Sequence, residues 1–349
     1  MRYVRLGNTG TEVSALCLGT WMFGHDYGEG EAVDRDTSLG ILEGAFERGV
    51  NFIDTANIYG MPASGYEGPE PGRSESYIGE WLKGVDRESV VIASKVFYTT
   101  RGRQPIGLSR KIVRAEIEGT LERLGTDYLD IYYHHGWHPP SPLEETLSVF
   151  NDLVREGLVH YLGVSNFTSW QLMKAAWLCD RNGWAPITVI QPRFNAADHV
   201  PFTVDPAEMA LPDLFDACRD LGVSVCPYSP LAGGFLSGKY QRRDDGDTDR
   251  PEGSRAAFTS RYGPFSDRWW RVLDVVREVA DDLGATAAQV AIAWAARVEG
   301  LTSIPIVGGK RVEYLDDVIG AVDLGLTDEQ HESIAAAGRV TERTGYIYT

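Results

Sequence analysis

Along the chain, short apolar runs recur at regular intervals. Each is separated from the next by a polar loop and a stretch whose apolar positions fall three and four residues apart. The opening residues alternate, turn at Asn8-Thr9-Gly10 and continue into a second apolar segment, which predicts a small hairpin. Eight apolar runs then occupy 15–19, 51–54, 90–95, 128–134, 161–165, 188–191, 224–228 and 302–307. All are short and β-branched or aromatic, as strands buried on both faces should be. Helical patterns lie between and after them at 37–48, 75–83, 109–124, 143–156, 169–181, 212–221, 267–283, 286–297, 311–319 and 328–337. Glycines at 49, 84, 125, 157, 183, 222 and 284 stand just past helix ends, and Ser109 is placed to cap a helix start.

Strand–helix alternation over the whole length predicts an α/β fold with a parallel sheet wrapped by helices. Eight units in one unbroken array favour a closed (β/α)8 TIM barrel with a short N-terminal β-hairpin over an open doubly wound sheet. No Pro/Ser-rich linker divides residues 1–349, so they read as a single domain. Two stretches break the rhythm: 60–73 (GMPASGYEGPEPGR) and 241–254 (QRRDDGDTDRPEGS). Both follow strands on the C-terminal side, where such barrels carry their active-site loops. Long loops there are more often functional than decorative; the second also reads as a solvated acidic insertion.

Composition narrows the partners. The formal net charge is -17, with 6 Lys against 27 Arg by count. A duplex-binding protein needs cations to neutralise phosphates, so neither nucleic acid nor an anionic membrane surface is an expected partner. Cysteines at 17, 179, 218 and 226 form no C-x-x-C pair and read as buried thiols in a reducing compartment. The first residues have no apolar signal core and no apolar run reaches membrane-spanning length, so a cytoplasmic protein is expected.

Polar residues at the C-terminal ends of barrel strands point into the mouth. The second run ends in Asp54, with Tyr59 five residues on; the third ends in Lys95; the fourth ends in His134 and His135. That set suits carbonyl reduction. When hydride reaches a carbonyl carbon, the oxygen needs a proton. A phenol with a pKa of about 10 gives one up reluctantly, and a nearby ammonium lowers that pKa. Lys95 supplies the charge, Asp54 holds the lysine, and a histidine orients the carbonyl oxygen. Adjacent residues on a strand point to opposite sides, so one of the two histidines is a core residue. Singly, Asp54 reads as a strand-end cap and Tyr59 as a loop plug; together on successive strand ends they read as a site.

The sequence resembles the aldo-keto reductase superfamily nearly end to end. The matching pieces are LGTWMFG (18–24), GVNFIDTANIYG (49–60), GRSESYIGEWL (72–82), VIASKV (91–96), LERLGTDYLDIYYHH (121–135), GLVHYLGVSNF (157–167), PYSPLAGGFLSGKY (227–240) and PIVGGKRVEYLDDVIGA (305–321). Within it, the chain looks closest to bacterial and archaeal reductases related to the potassium-channel β subunits. The resemblance implies a catalytic tetrad of Asp54, Tyr59, Lys95 and His135, with Tyr59 as the acid in reduction. It implies that Ser165, Asn166 and Gln191 hold a nicotinamide carboxamide and that Tyr228 stacks on the ring. Ser229, Pro230, Leu231, Ala232 and Gly233 would form the loop over the pyrophosphate, with Lys239 behind it. Arg255, Gly308, Gly309, Lys310, Tyr314 and Asp317 match the adenosine end, and Gly19, Thr20 and Trp21 line the mouth.

The same resemblance implies an NAD(P)H-dependent reductase of aldehydes, ketones or sugar-like carbonyls, with a small-molecule substrate and no metal. Two other readings of these residues are a nicotinamide-sensing regulatory subunit with slow turnover and a sugar or alcohol dehydrogenase. No G-x-G-x-x-G opens a helix after the first strand, which argues against a Rossmann dehydrogenase. The family often carries Arg at 314 and Asn at 318, where this chain has Tyr314 and Val318. An arginine there grips the 2′-phosphate of NADPH; Lys310, Arg311 and Arg255 are placed to compensate. NADPH (NADP) is the favoured cofactor, and NADH (NAD) the alternative. Trp269 and Trp270 read as helix core, with a substrate-side lid as the alternative. Trp21, Phe23, Trp137 and His138 would shape an aromatic pocket whose substrate they do not name.

Overall fold

A computed structural model of the chain describes residues 1–25, 33–60, 72–97, 107–197, 211–243, 248–249 and 265–339. It opens with an antiparallel hairpin of β1 (Tyr3–Arg5) and β2 (Glu12–Ser14). The barrel strands follow as β3 (Cys17–Gly19), β4 (Phe52–Asp54), β5 (Val91–Val96), β6 (Leu129–His134), β7 (Val159–Ser165), β8 (Ile187–Gln191) and β9 (Ser224–Val225). A small antiparallel pair, β10 (Gln241–Arg242) and β11 (Thr248–Asp249), precedes the last barrel strand, β12 (Ile306–Val307). All eight barrel strands are parallel neighbours in the order β12-β3-β4-β5-β6-β7-β8-β9. Parallel bridges from Val225 to Ser303 and from Tyr228 to Ile306 join the two ends, so the ring closes.

The helices are α1 (Arg35–Glu47), α2 (Arg73–Leu82), α3 (Arg110–Leu124), α4 (Leu143–Arg155), α5 (Ser169–Asn182), α6 (Leu211–Leu221), α7 (Asp267–Leu283), α8 (Ala287–Ala296), α9 (Tyr314–Gly320) and α10 (Asp328–Gly338). This is the (β/α)8 barrel that the alternation predicts. The predicted runs at 224–228 and 302–307 shrink to two residues each. The reason is local: Pro227 and Pro305 have no N–H to give a ladder. Their carbonyls still accept, from Ile306 N–H (2.8 Å) and Cys17 N–H (3.0 Å), which keeps the ring stitched.

Strand alternation divides the core in two. Cys17, Phe52, Val91, Ala93, Ile131, Tyr133, Val189, Cys226 and Ile306 fill the barrel interior, while Leu18, Ile53, Ile92, Tyr132, Val164 and Ile190 pack outward under the helices. Leu6 and Val13 join the interior set from the hairpin region. Gly7 N–H donates to Ser224 Oγ (2.6 Å) and Ser14 N–H to Asn51 Oδ1 (2.7 Å), so the hairpin seals the end where β9 and β4 begin. The opposite, C-terminal end is left for chemistry. All four cysteines are buried and none is in a disulfide; burial pushes Cys179 up to about 11 and Cys218 up to about 12. Among the described residues, no helix is long and apolar enough to cross a membrane.

Helix α2 follows the loop after β4 and leans on α3 at close range. A Cβ placed on Gly79 would lie 2.2 Å from the backbone oxygen of Arg123. Gly79→Ala is therefore expected to destabilise the protein by about 1–3 kcal/mol through overpacking. Urea unfolding reads this out, and an unchanged midpoint would contradict so tight a contact.

Candidate active site

Register brings the tetrad together. Asp54 pairs with Ala93, and Lys95 pairs with Tyr133, which places Asp54 and Lys95 on the interior side at the C-terminal mouth. Lys95 is wholly buried (0% exposed), where a lysine survives only when paired. Its ammonium has three protons, and three acceptors meet them: Asp54 Oδ1 at 2.5 Å, the Thr55 carbonyl at 2.7 Å and Tyr59 Oη at 3.1 Å. The second Asp54 oxygen accepts from Gln191 Nε2 at 2.8 Å. Burial works against the charge on Lys95, but Asp54 and then Tyr59 outweigh it and hold the ammonium above its ordinary pKa. Because the phenol oxygen of Tyr59 accepts from Lys95, its own O–H is directed away from the ammonium. The ammonium also lies 4.6 Å from the Tyr59 ring centroid.

Tyr59 is set by its backbone as well as by Lys95. Its N–H donates to Ala56 O (3.0 Å), and its carbonyl accepts from Gly72 N–H (3.1 Å) and Ser74 N–H (3.3 Å) at the start of α2. Ser74 Oγ in turn donates to Thr20 Oγ1 (2.7 Å) and lies 3.0 Å from Thr55 Oγ1, locking the ends of β3 and β4 to that helix.

The two histidines separate as strand parity requires. His135 stands edge-on to Tyr59, with ring centroids 6.0 Å apart at 74°. Burial first, and Lys95 second, hold its imidazole well below the ordinary value, so it is neutral near pH 7. His134 points the other way and packs against Phe167 (4.9 Å) and Phe150 (6.4 Å). Burial, reinforced by His138, lowers it to about 3. Both folded-state values lie below that of an exposed histidine. The unfolded chain therefore binds more protons once the pH falls below about 6.5, and stability drops with acidification from there towards about 3. Each histidine is expected to contribute a slope of about 1 kcal/mol per pH unit. Denaturant melts of wild type and His134→Phe between pH 6.5 and 4.5 check this; equal slopes would contradict it.

The residues matched to a cofactor fall around the same rim. Ser165 Oγ donates to the Gln191 carbonyl (2.9 Å). Asn166 Nδ2 donates to the His135 carbonyl (3.0 Å) and to Ser165 Oγ (3.1 Å), while Asn166 Oδ1 accepts from Tyr228 Oη (2.9 Å). The strand ends of β6, β7, β8 and β9 are thus joined by side chains, and Gln191 ties them to Asp54. Past Tyr228, the loop holds a run of left-handed residues: Ser229 (φ 56), Ala232 (φ 50), Gly233 (φ 70) and Gly234 (φ 93). Ser229 and Ala232 are strained there, since side chains rarely tolerate this region. Lys239 Nζ lies 2.8 Å from where a Gly234 Cβ would stand, so an ammonium covers the loop. Successive turns of this kind with a cation form an anion-binding concavity. Across the rim, a Cβ on Gly308 would lie 3.0 Å from Gly19 O, and one on Gly19 would lie 2.6 Å from Ile306 Cγ2. Thr20 N–H and Oγ1 both donate to Asp54 O, at 3.0 and 2.9 Å. Trp21 stacks at a tilt on His25 (4.9 Å).

At the far end, Gly309 and Lys310 lead into α9, where Tyr314 is half exposed at 51%. Asp317 accepts from Thr286 Oγ1 (2.7 Å) and holds α9 to the start of α8. Arg255 lies outside the described residues, as do most of the 60–73 and 241–254 loops. Among the described residues, no three His, Cys, Asp or Glu side chains gather to hold a metal ion. Trp270 is buried and Trp269 stacks on Phe265 (5.4 Å), in keeping with a core role.

Sequence reading missed the support behind the tetrad. Asn57 Nδ2 donates to the buried carboxylate of Glu116 (2.8 Å), anchoring the Tyr59 loop to α3. Glu75 accepts from Ser94 Oγ (2.6 Å) and Arg123 Nε (2.7 Å), clamping the strand that carries Lys95. The signal was available: Glu116 shares a helix face with Val113, Ile117, Thr120 and Leu124, a spacing that puts a carboxylate on an apolar face.

A closed barrel whose mouth gathers a buried lysine, a carboxylate and a phenol defines a class of barrel oxidoreductase. The profile of the Aldo/keto reductase family matches residues 15–339, and the chain belongs to that family. It is 34% identical over 342 residues to the uncharacterized oxidoreductase YrpG of Bacillus subtilis (strain 168), spanning 94% of this chain and 93% of that one. It is 29% identical over 350 residues to versiconal hemiacetal acetate reductase of Aspergillus parasiticus, covering 95% of each. It is 33% identical over 335 residues to norsolorinic acid reductase B of Aspergillus parasiticus, spanning 93% of this chain and 81% of that one.

Proposed function

We propose that this aldo/keto reductase family oxidoreductase reduces aldehyde or ketone carbonyls to alcohols, with Tyr59 as the proton donor and NADPH as the favoured reductant. The observation that carries the reading is the buried ammonium of Lys95 held between Asp54 Oδ1 and Tyr59 Oη. A charged ammonium beside the phenol stabilises phenolate and so lowers the cost of giving up the proton. Asp54 keeps that ammonium in place and charged, and Gln191 fixes the carboxylate. Neutral His135, edge-on to Tyr59, offers a ring N–H to the carbonyl oxygen.

The left-handed run over 229–234 with Lys239 above it fits a pyrophosphate, and Ser165, Asn166, Gln191 and Tyr228 fit a nicotinamide beside Tyr59. When bound there, the nicotinamide supplies hydride. Lys310 and Arg311 open the segment matched to the adenosine end, and their cations would favour a 2′-phosphate there. The reductase names of two relatives support the reductive direction. Buried thiols at all four cysteines suit a reducing cytoplasm.

Fluorescence titration with NADPH and NADH, followed by cofactor oxidation with a panel of aromatic and short-chain aldehydes, tests the proposal. Tighter binding of NADPH and aldehyde-dependent oxidation are expected. Failure to bind either nucleotide overturns the reading; binding without turnover would point instead to a sensing subunit.

A further inference from the structure

Glu75 is a wholly buried residue (0% exposed) in the first turn of α2, across the barrel wall from the tetrad. Burying a carboxylate is costly unless donors meet it, and two do: Ser94 Oγ donates to Oε1 at 2.6 Å and Arg123 Nε to Oε2 at 2.7 Å. These donors come from different elements. Ser94 lies in β5, directly before Lys95. It pairs with Tyr132, which packs outward, whereas Lys95 pairs with Tyr133 of the interior. Strand parity thus puts Ser94 and Lys95 on opposite faces of the same stretch of backbone. Arg123 comes from the last turn of α3 and presses on Gly72, where a Cβ would lie 2.5 Å from its Nε.

The start of α2 that Glu75 fixes is the part that grips Tyr59. Gly72 stands at the cap position in the left-handed conformation (φ 90) and has no side chain to cap the helix. The N–H groups of Gly72 and Ser74 donate to the Tyr59 carbonyl, at 3.1 and 3.3 Å. A closed circuit follows. It runs from Lys95 to Ser94 along the strand, across to Glu75, back along the helix to Ser74 and on to Tyr59. It closes through the 3.1 Å contact between Tyr59 Oη and Lys95 Nζ. Through that last contact the ammonium stabilises a phenolate, and the stabilisation weakens as the two groups separate. Glu75 and Ser94 span the circuit on its far side, so their reach governs how closely Tyr59 can approach Lys95.

We propose that Glu75 is a positioning residue: with Ser94 and Arg123 it sets the spacing between the Tyr59 phenol and the Lys95 ammonium, and so the acidity of that phenol. The proposal rests on the reading of Tyr59 as a proton donor tuned by Lys95. Reach matters here, not charge. A glutamine at 75 has the same reach: its oxygen can accept from Arg123 and its amide can donate to Ser94 Oγ, since a hydroxyl both donates and accepts. An aspartate keeps the charge and is one methylene short. Among the described residues, the titratable groups that face the phenol are Lys95 and His135, with Asp54 behind the lysine. These variants alter none of them.

Ultraviolet titration of the full chain without nucleotide tests the proposal. Each variant is measured against the same variant carrying Tyr59→Phe, which isolates one phenol and needs no turnover. Tyr132 and Tyr133, which burial pushes well above the ordinary value, stay out of the window. The wild-type midpoint is expected below about 10. It should rise by about one pH unit in Glu75→Asp, and likewise in Ser94→Ala, a small deletion that leaves the Glu75–Arg123 pair intact. In Glu75→Gln it should stay at the wild-type value, even if the melting temperature falls. Turnover should follow the midpoint, with kcat about tenfold lower in Glu75→Asp and Ser94→Ala and NADPH affinity within about threefold of wild type. A wild-type midpoint at about 10 overturns the reading of Tyr59 and this proposal with it. A lowered wild-type midpoint that neither Glu75→Asp nor Ser94→Ala moves, or that Glu75→Gln moves as far as they do, overturns this proposal alone.

Discussion

Replacing Tyr59 by phenylalanine is expected to lower the rate of carbonyl reduction by about 10²–10⁴-fold, the usual contribution of a positioned acid. The substitution removes one oxygen. It leaves the backbone anchors of Tyr59 to Ala56, Gly72 and Ser74 in place, so the loop keeps its course. Lys95 loses one of its three acceptors and retains Asp54 Oδ1 and the Thr55 carbonyl. The bonds that join Ser165, Asn166, Gln191 and Tyr228 to one another do not run through the lost hydroxyl, and they persist. NADPH affinity should therefore stay within about threefold of wild type, a difference of under 1 kcal/mol. Steady-state reduction of a good aldehyde with parallel fluorescence titration reads both quantities. Turnover close to wild type would remove Tyr59 from the chemistry.

The second large effect concerns Lys95. Lys95→Met keeps the length of the side chain and removes the charge. It strands the Asp54 carboxylate, which is 2% exposed, with Gln191 as its remaining side-chain donor. Breaking a buried ion pair by removing one partner costs about 3–5 kcal/mol, because the other charge is left uncompensated. On the proposed mechanism activity should fall at the same time, since the phenol would lose the ammonium that is proposed to make it a usable acid. The two consequences can be separated. In the double variant Lys95→Met/Asp54→Leu no charge remains buried at this pair, so much of the stability should return. Activity should not. Denaturant unfolding and turnover of the single and double variants check the pair together. A single variant as stable as wild type would mean that the ion pair is not carrying the local electrostatics.

Much of this organisation was legible in the sequence. The eight apolar runs set the strand count and order because strands buried on both faces must be continuously apolar. Polar residues breaking that rule at the ends of β4, β5 and β6 marked the site. His134 and His135 could not be told apart by chemistry, yet parity alone puts them on opposite sides, and the resemblance chose 135. Less legible were features that depend on long-range packing. Pro227 and Pro305 shortened two strands whose apolar runs looked longer. Asp317 sits in a segment matched to a nucleotide, and its carboxylate turns towards Thr286. The Glu116–Asn57 and Glu75–Ser94 contacts join residues 59 and 19 positions apart, a relation that periodicity within one helix does not reveal.

Tracing the hydrogen tests the central claim most directly. NADPH carrying deuterium at the transferable position of its ring would be mixed with an aldehyde and the protein. Deuterium on the carbinol carbon of the alcohol, formed at a rate that collapses in Tyr59→Phe, is the result expected of a site that pairs hydride delivery with a lysine-tuned phenol. An alcohol whose carbinol hydrogen comes from solvent, or no alcohol at all despite bound nucleotide, would contradict it.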